Sequence, residues 1–347
     1  MAPPDALPLS ALAENIALDS RLETLKDWVG QVLDLREYEV RPASVDASFR
    51  RYFRVSANGA TYIVMDAPPD KEDMRPFIEI ARHLHHLGMN VPEVLEQDLA
   101  RGYLLLTDLG QQMYLPQLNE STVERLYGDA LGALVILQAG IFTDPGFLPE
   151  YDEALLRREL ELFREWYLGR HLGLTLSRAQ TAVLNNAFTL LVRSALSQPR
   201  VWVHRDYHSR NLMLTPGNNP GILDFQDAVR GPATYDLVSL LRDCYIAWPL
   251  ERIEEWALGY QTLALQSGLP VCADETQFLR EFDLMGVQRH LKATGIFARL
   301  NQRDGKPGYL NDIPRTLGYV VGVSGRHPAL QGLHDLLMDL RIPGITA

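Results

Sequence analysis

The hydrophobic period changes once along this chain, and that change limits the folds open to it. Between Glu37 and Ala67 three short runs, EYEVRPA, RYFRVSA and TYIVMDA, are rich in β-branched and aromatic residues. SVDASFR separates the first two. Asn58-Gly59 lies between the second and third, and Asn-Gly suits a two-residue hairpin turn because both central residues take positive φ. These runs predict a three-stranded antiparallel meander over about 38–66. MRPFIEIARHLHHLG predicts a helix ended by Gly88. VPEVLEQD and GYLLLTDLG predict two further strands, the second apolar enough to be covered on both faces. From Thr122 onward the apolar residues recur at helical spacing through 122–139, 152–168, 178–196, 235–247, 251–267 and 276–300. Strands followed by helices predict an α+β chain in two lobes. Their expected bounds are 1–106 and 113–347, joined by the polar segment TDLGQQ at 107–112.

Composition narrows the function classes. The chain has 347 residues, 46% of them hydrophobic, which is enough for a sizeable core. Its net charge of −11 argues against nonspecific binding to nucleic acid or an anionic membrane, which attract basic surfaces. Cys244 and Cys272 sit in no CxxC or Cys/His cluster, so they are expected as buried or half-buried thiols rather than zinc ligands. Residues 1–19 lack the basic and apolar regions of a secretory leader and read as a loose arm. No apolar run is expected to reach the ~20 residues of a membrane span. A monomer of the reducing cytoplasm is expected.

One stretch carries most of the chemistry: WVHRDYHSRNLMLTPGNNPGILDFQDA, Trp202 to Ala228. It holds His204, Asp206, His208, Asn211, Asp224 and Asp227 among apolar runs. Asp206 follows the strand-like VWVH, Asn211 precedes NLML, and Asp224 closes GILDF. A hairpin would bring Asn211 and Asp224 side by side, facing Asp206. Converging oxygen ligands suit Mg²⁺, which leaves its other sites to water and phosphate. A nearby carboxylate can orient a hydroxyl and accept its proton. That equipment serves phosphoryl transfer. The plainer alternative is a polar hairpin whose Asp and Asn serve turns.

The order His204-Arg205-Asp206, Asn211, then Asp224-Phe225 resembles the protein-kinase pattern H-R-D-x₄-N … D-F-G. Gln226 stands where that pattern has glycine, and the segment is more similar to the aminoglycoside phosphotransferase-like branch. GPATYDLVSLL continues the likeness, with Asp236 matching a buried aspartate that braces the catalytic loop. The short distance from Asp224 to Tyr235 leaves no peptide-docking segment, which favours a small-molecule acceptor. The resemblance implies a two-lobed protein-kinase-like fold, with a small antiparallel-sheet N-lobe and a helical C-lobe. It implies ATP as phosphoryl donor, Asp206 as base, and Asn211 and Asp224 as Mg²⁺ ligands. SVDASFRRYFRV would cover the nucleotide, with Ala47 and Ser48 near phosphate, and the backbone of Thr107 and Leu109 would pair with adenine. Glu79 is the central acid of the helix that follows the meander. The third-strand lysine of the family is absent: Met65 occupies its place. Arg50, Arg51 and Arg54 are the candidates to replace its charge.

Two polar, aromatic segments, LELFREWYLGRHLG at 160–173 and GVQRHLKATGIFARLNQRDGKPGYLNDIPR at 286–315, bear on the acceptor. With IVMDAPPD and VHRDYHSRNLM they resemble the family of anomeric N-acetylmuramate/N-acetylglucosamine kinases of cell-wall recycling. That resemblance implies phosphorylation of an amino sugar at its anomeric hydroxyl. Glu165, Trp166, Tyr167, His208 and Arg289 are the candidate sugar-binding residues. Arg289 or Lys292 would suit a lactyl carboxylate. Other acceptors of the superfamily stay open, namely aminoglycosides, choline and methylthioribose, although the mixed charge of these segments disfavours a polycation. A nucleotide-binding pseudokinase also stays open, given Met65.

Overall fold

A computed structural model describes residues 20–45, 49–143 and 146–344. The chain forms two compact units. One comprises the described residues up to Gln111 together with Met213–Gln226, the other Gln112–Leu212 and the described residues from Asp227. The expectations for 1–19, Ala47 and Ser48 lie outside the described residues.

In the first unit, α1 (Ser20–Val32) is followed by β1 (Glu39–Val45), β2 (Arg51–Ala57), β3 (Ala60–Asp66), α2 (Arg75–His86), β4 (Val94–Asp98) and β5 (Tyr103–Thr107). The strands form one antiparallel sheet in the order β1-β2-β3-β5-β4. Asn58 at φ 51° and Gly59 at φ 78° close the β2–β3 turn, as their residue types predict. Side chains alternate across the pleat. Phe53, Val55, Val64, Tyr103 and Leu105 turn to one face and pack against Leu22, Leu25, Trp28 and Val29 of α1. Their neighbours Met65, Leu104 and Leu106 are buried on the opposite face, so the sheet's centre is covered twice. Each fully buried leucine or valine there contributes about 1.5–3 kcal/mol.

The hairpin 213–226 belongs to this unit, whereas its sequence position placed it with the helical half. Backbone and rings attach it. Ile222 N–H donates to the Asn90 carbonyl at 2.8 Å, Asn218 donates to the Gly88 carbonyl at 3.0 Å, and Phe225 packs on Phe77 with ring centroids 4.9 Å apart.

The second unit is helical: α3 (Val123–Ala139), α4 (Glu153–Leu162) continuing as a π-type stretch Phe163–His171, α5 (Arg178–Ser197), α6 (Tyr235–Leu241), α7 (Leu250–Gln266), α8 (Glu275–Asp304), α9 (Ile313–Arg326) and α10 (Gln331–Asp339). Asp152, Ser177 and Asp274 cap α4, α5 and α8 through side-chain oxygens that accept backbone N–H groups. The thirty-residue α8 is largely buried and ends at Gly305 in the left-handed conformation. At Gly295 it crosses α4 so closely that a Cβ would lie 2.3 Å from the Leu162 carbonyl carbon. The strand Arg200–Val203 pairs antiparallel with Val229–Pro232 and leads into the polar stretch.

Three expectations are corrected here. The helix expected over 235–247 stops at Leu241, because Asp243 turns to accept N–H groups from Ser209 and Tyr245, each at 2.9 Å. Helices α9 and α10 lie beyond the stripes read from sequence, their signal broken by Pro314, Gly318, Gly322, Gly325 and Pro328. The twenty-residue stretch Val123–Phe142 is long and apolar enough by composition to cross a bilayer. In the fold it is a core helix, with Val123, Leu126, Tyr127, Ala130 and Leu134 fully buried.

Candidate active site

The loop after Val203 is built by hydrogen bonds from beneath. Asp236, fully buried at the start of α6, accepts the backbone N–H of His204 at 2.6 Å and of Arg205 at 2.9 Å. This is the bracing role that the YDL motif implied. Arg205 takes φ 78°, a region sparsely populated by residues other than glycine, and such strain persists only where neighbours over-determine it. Tyr207 anchors the loop through its hydroxyl, which donates to the Ala130 carbonyl at 2.8 Å. Asn211 Nδ2 donates to the Asp206 carbonyl at 3.0 Å, and His208 N–H donates to the same carbonyl at 3.0 Å. The donor end of the Asn211 amide is thereby turned into the loop, and its oxygen is the end able to meet a cation. His204 is 1% exposed; its Nδ1 accepts the Asp206 N–H at 3.2 Å, a packed structural histidine.

Charge around Asp206 comes from far along the chain. Burial, the largest influence, would raise its carboxyl; Lys292, His208, Arg289 and Arg205 outweigh burial and hold it below the usual carboxylate range. Lys292 and Arg289 project from α8. Lys292 Nζ meets Glu159 at 3.0 Å and donates to the Tyr235 hydroxyl at 2.9 Å. Glu159 also receives Arg205 at 2.6 Å and the Tyr151 hydroxyl. Glu159, Asp243 and this use of Lys292 escaped the sequence reading. Glu159 lies 46 residues before Arg205, and only its place in an otherwise apolar stripe of α4 hinted at burial.

The candidate acceptor residues divide. His208 and Arg289 lie within electrostatic reach of Asp206, and burial holds the His208 imidazole below its usual value despite Asp243 and Asp206. Glu165, Trp166 and Tyr167 are not gathered with them. Glu165 is exposed and paired with Arg170 at 2.8 Å, and Arg170 also stacks over Trp166 at 4.0 Å. Tyr167 is core, stacked between Phe163 and His171.

In the sheet unit, Asp224 takes φ 65°, again strained for a non-glycine residue, and its Oδ1 accepts a hydrogen bond from Gln226 Nε2 at 2.8 Å. The residue in place of the pattern's glycine thus orients the carboxylate. Met65 is fully buried. Arg51 lies on the opposite face of the sheet: its Nε meets Asp66 at 2.9 Å and its guanidinium covers the Phe53 ring, while Arg21 reaches Asp66 from α1 at 2.6 Å. Arg54 grips Asp108 at 2.6 and 3.0 Å and the Gly110 carbonyl at 2.7 Å. Burial would raise the Asp108 carboxyl, but Arg54 and neighbouring donors hold it low. Both arginines are thus paired with carboxylates of their own unit. Arg50 pairs with Glu72 at 3.8 Å. Glu79 is exposed on α2. Thr107 N–H donates to the Glu93 carbonyl at 3.0 Å, and its hydroxyl accepts the Glu93 N–H at 2.9 Å. Among the described residues the Leu109 backbone has no hydrogen bond within the chain.

Comparison with known proteins places this arrangement. Residues 39–275 match the model of the phosphotransferase enzyme family. The chain is 48% identical over 334 residues to an N-acetylmuramate/N-acetylglucosamine kinase of Pseudomonas putida, covering 93% of this chain and 97% of that one. It is 43% identical over 321 residues to the protein of that name from Neisseria meningitidis, covering 91% and 95%. Among solved structures it is similar in fold to choline kinase of Streptococcus pneumoniae, with TM-score 0.62 at 12% identity, covering 88% of this chain and 100% of that one. It is also similar to an ADP-bound aminoglycoside phosphotransferase, with TM-score 0.56 at 14% identity, covering 87% and 98%. The small antiparallel sheet and the helical unit fit these likenesses in fold, and the chain belongs to the phosphotransferase enzyme family.

Proposed function

We propose that the protein is an ATP-dependent kinase that phosphorylates N-acetylmuramate and N-acetylglucosamine at the anomeric hydroxyl, giving the sugar 1-phosphate. The observation that carries this reading is identity of 48% over 93% of the chain with a protein named as a kinase of those sugars, in a chain whose base-bearing loop is intact and braced. Asp206 accepts the proton of the anomeric hydroxyl as its oxygen attacks the γ-phosphorus, and ADP leaves. An anomeric hydroxyl is more acidic than an ordinary alcohol, so a carboxylate suffices as base. Arg205 and the backbone bonds to Asp236 keep Asp206 in place, which is where positioning contributes to rate.

Asn211 and Asp224 would hold Mg²⁺. Both present oxygen, and in each a neighbour fixes the orientation: the Asp206 carbonyl for Asn211 and Gln226 for Asp224. The metal, when bound, neutralises phosphate charge. Arg50 is the proposed partner for phosphate in place of the missing lysine, and Ser48 lies in the segment proposed to cover it. The backbone of Leu109, with Thr107 beside it, is the proposed adenine contact. His208 and Arg289 are the proposed acceptor residues. We place the reaction in the cytoplasm, in the reuse of cell-wall amino sugars, and the working species as a monomer.

The test is turnover with ATP and Mg²⁺ on a panel of N-acetylmuramate, N-acetylglucosamine, kanamycin, choline and methylthioribose, with phosphorus NMR to locate the phosphate. The expected product is an anomeric phosphate on the amino sugars. A phosphate on another hydroxyl, or turnover confined to the other acceptors, overturns the proposal.

A further inference from the structure

Helix α6 is short, and each end of it brings a buried aspartate to the loop that carries Asp206. Asp236, in its first turn, holds His204 and Arg205. Asp243, just past the last turn and 1% exposed, holds the other limb. One of its oxygens accepts the Ser209 N–H at 2.9 Å and the Ser209 hydroxyl at 2.5 Å, and the other accepts the Tyr245 N–H at 2.9 Å. Ser209 is fully buried and lies between Asp206 and Asn211 in the chain. The segment 206–211 is closed on itself: the Asp206 carbonyl accepts from His208 and Asn211, and the His208 carbonyl accepts the Asn211 N–H at 2.9 Å. A hold on Ser209 therefore bears on Asp206 and Asn211 together. The turn that carries Asp243 is itself fixed. His290 Nε2–H donates to the Arg242 carbonyl at 2.8 Å, and the Arg242 side chain pairs with Asp283. Tyr245 then returns to the loop. Its ring stands edge-on to His208 with centroids 5.3 Å apart, and the Arg210 guanidinium lies 3.5 Å over it.

We infer that Asp243 is a positioning residue for phosphoryl transfer: through Ser209 it fixes the second limb of the loop, so that Asp206 and Asn211 stay where the reaction needs them. The inference rests on the kinase reading above, in which Asp206 is the base. A carboxylate suits this place because it only accepts, can serve donors on both oxygens, and makes charge-assisted bonds. An amide cannot replace it, since its NH₂ group would face the N–H of either Ser209 or Tyr245. A reacting group misplaced by about 1 Å can cost about 100-fold in rate.

The test measures Ser209→Ala, Asp243→Asn and the double variant in the full chain, with whichever acceptor of the panel the wild type phosphorylates. Steady-state kinetics, nucleotide affinity and urea unfolding are followed together. Ser209→Ala keeps the backbone bond and is expected to lower kcat about fivefold, with nucleotide affinity and both KM values within about twofold of wild type. Asp243→Asn is expected to lower kcat about 30-fold or more. The double variant is expected to fall no further than Asp243→Asn, because both changes break one link. Losses in kcat that multiply overturn the inference. A Ser209→Ala protein with wild-type kcat overturns it too, whatever its urea midpoint, and this arm stands even if Asp243→Asn does not fold. Turnover confined to other acceptors overturns the amino-sugar reading and leaves this inference to the same variants; absence of any turnover overturns both.

Discussion

Glu159 accepts the guanidinium of Arg205 at 2.6 Å, so a carboxylate buried in α4 holds the residue that precedes the proposed base. Arg205 is strained at φ 78°, and its backbone N–H is held by Asp236 while its side chain is held by Glu159. The strain is stable because both ends are fastened.

Replacing Glu159 by Gln leaves Arg205 and Lys292 without their shared counter-charge in a buried site. The expected cost is about 3 kcal/mol of stability, with a lower kcat. Urea unfolding and steady-state kinetics measure both. A variant within about 0.5 kcal/mol of wild type would show that the hub carries no net charge dependence.

Asp236 gives a pH dependence whose sign is fixed by burial. Desolvation lifts its carboxyl to about 6, although His204 and Arg205 favour the charged form. The folded chain therefore binds this proton more tightly than the unfolded chain, whose carboxyl titrates near 4. Relative to Asp236→Asn, wild type is expected to lose about 3 kcal/mol of stability as pH rises from about 4 to about 6, and to level off above. Denaturation of both proteins from pH 4 to 8 checks this, and a difference that is flat or grows with pH contradicts it.

Asp206→Asn is expected to lower kcat by about 100-fold or more while leaving nucleotide affinity near wild type. The carbonyl that Asn211 Nδ2 and His208 N–H hold belongs to the backbone and is retained. Near-normal turnover would remove Asp206 from the role of base.

Gly295→Ala places a methyl group 2.3 Å from the Leu162 carbonyl carbon, in backbone that cannot rotate away. Separating α8 from α4 is expected to cost about 2 kcal/mol and to disturb the Glu159–Lys292 pair, which these two helices carry. A thermal melt within a degree of wild type, at unchanged kcat, would contradict so tight a crossing.

Much of the fold and of the catalytic loop was legible because the signals are local. The Asn58-Gly59 turn needs only two residues able to take positive φ, and the spacing of His204, Asp206 and Asn211 spans a single loop. Arg51 and Arg54 were not separable in the sequence. The pleat puts Arg51 on the α1 face beside Asp66, and the chain's return at β5 brings Asp108 to Arg54. Nor was the π-type stretch, which leaves Tyr167 in the core and Glu165 and Trp166 with Arg170.

The order of strands, most of the helices, the hairpin turn and the H-x-D-x₄-N loop follow from the sequence by itself, because periodicity and turn chemistry act between near neighbours. The tertiary structure decided which charges are paired. Glu159 meets Arg205 and Lys292 across 46 and 133 residues of chain, and Arg289 brings its charge to bear on Asp206 across 83. In a buried, low-dielectric site the identity of the neighbour sets the electrostatic energy, and only folding chooses that neighbour.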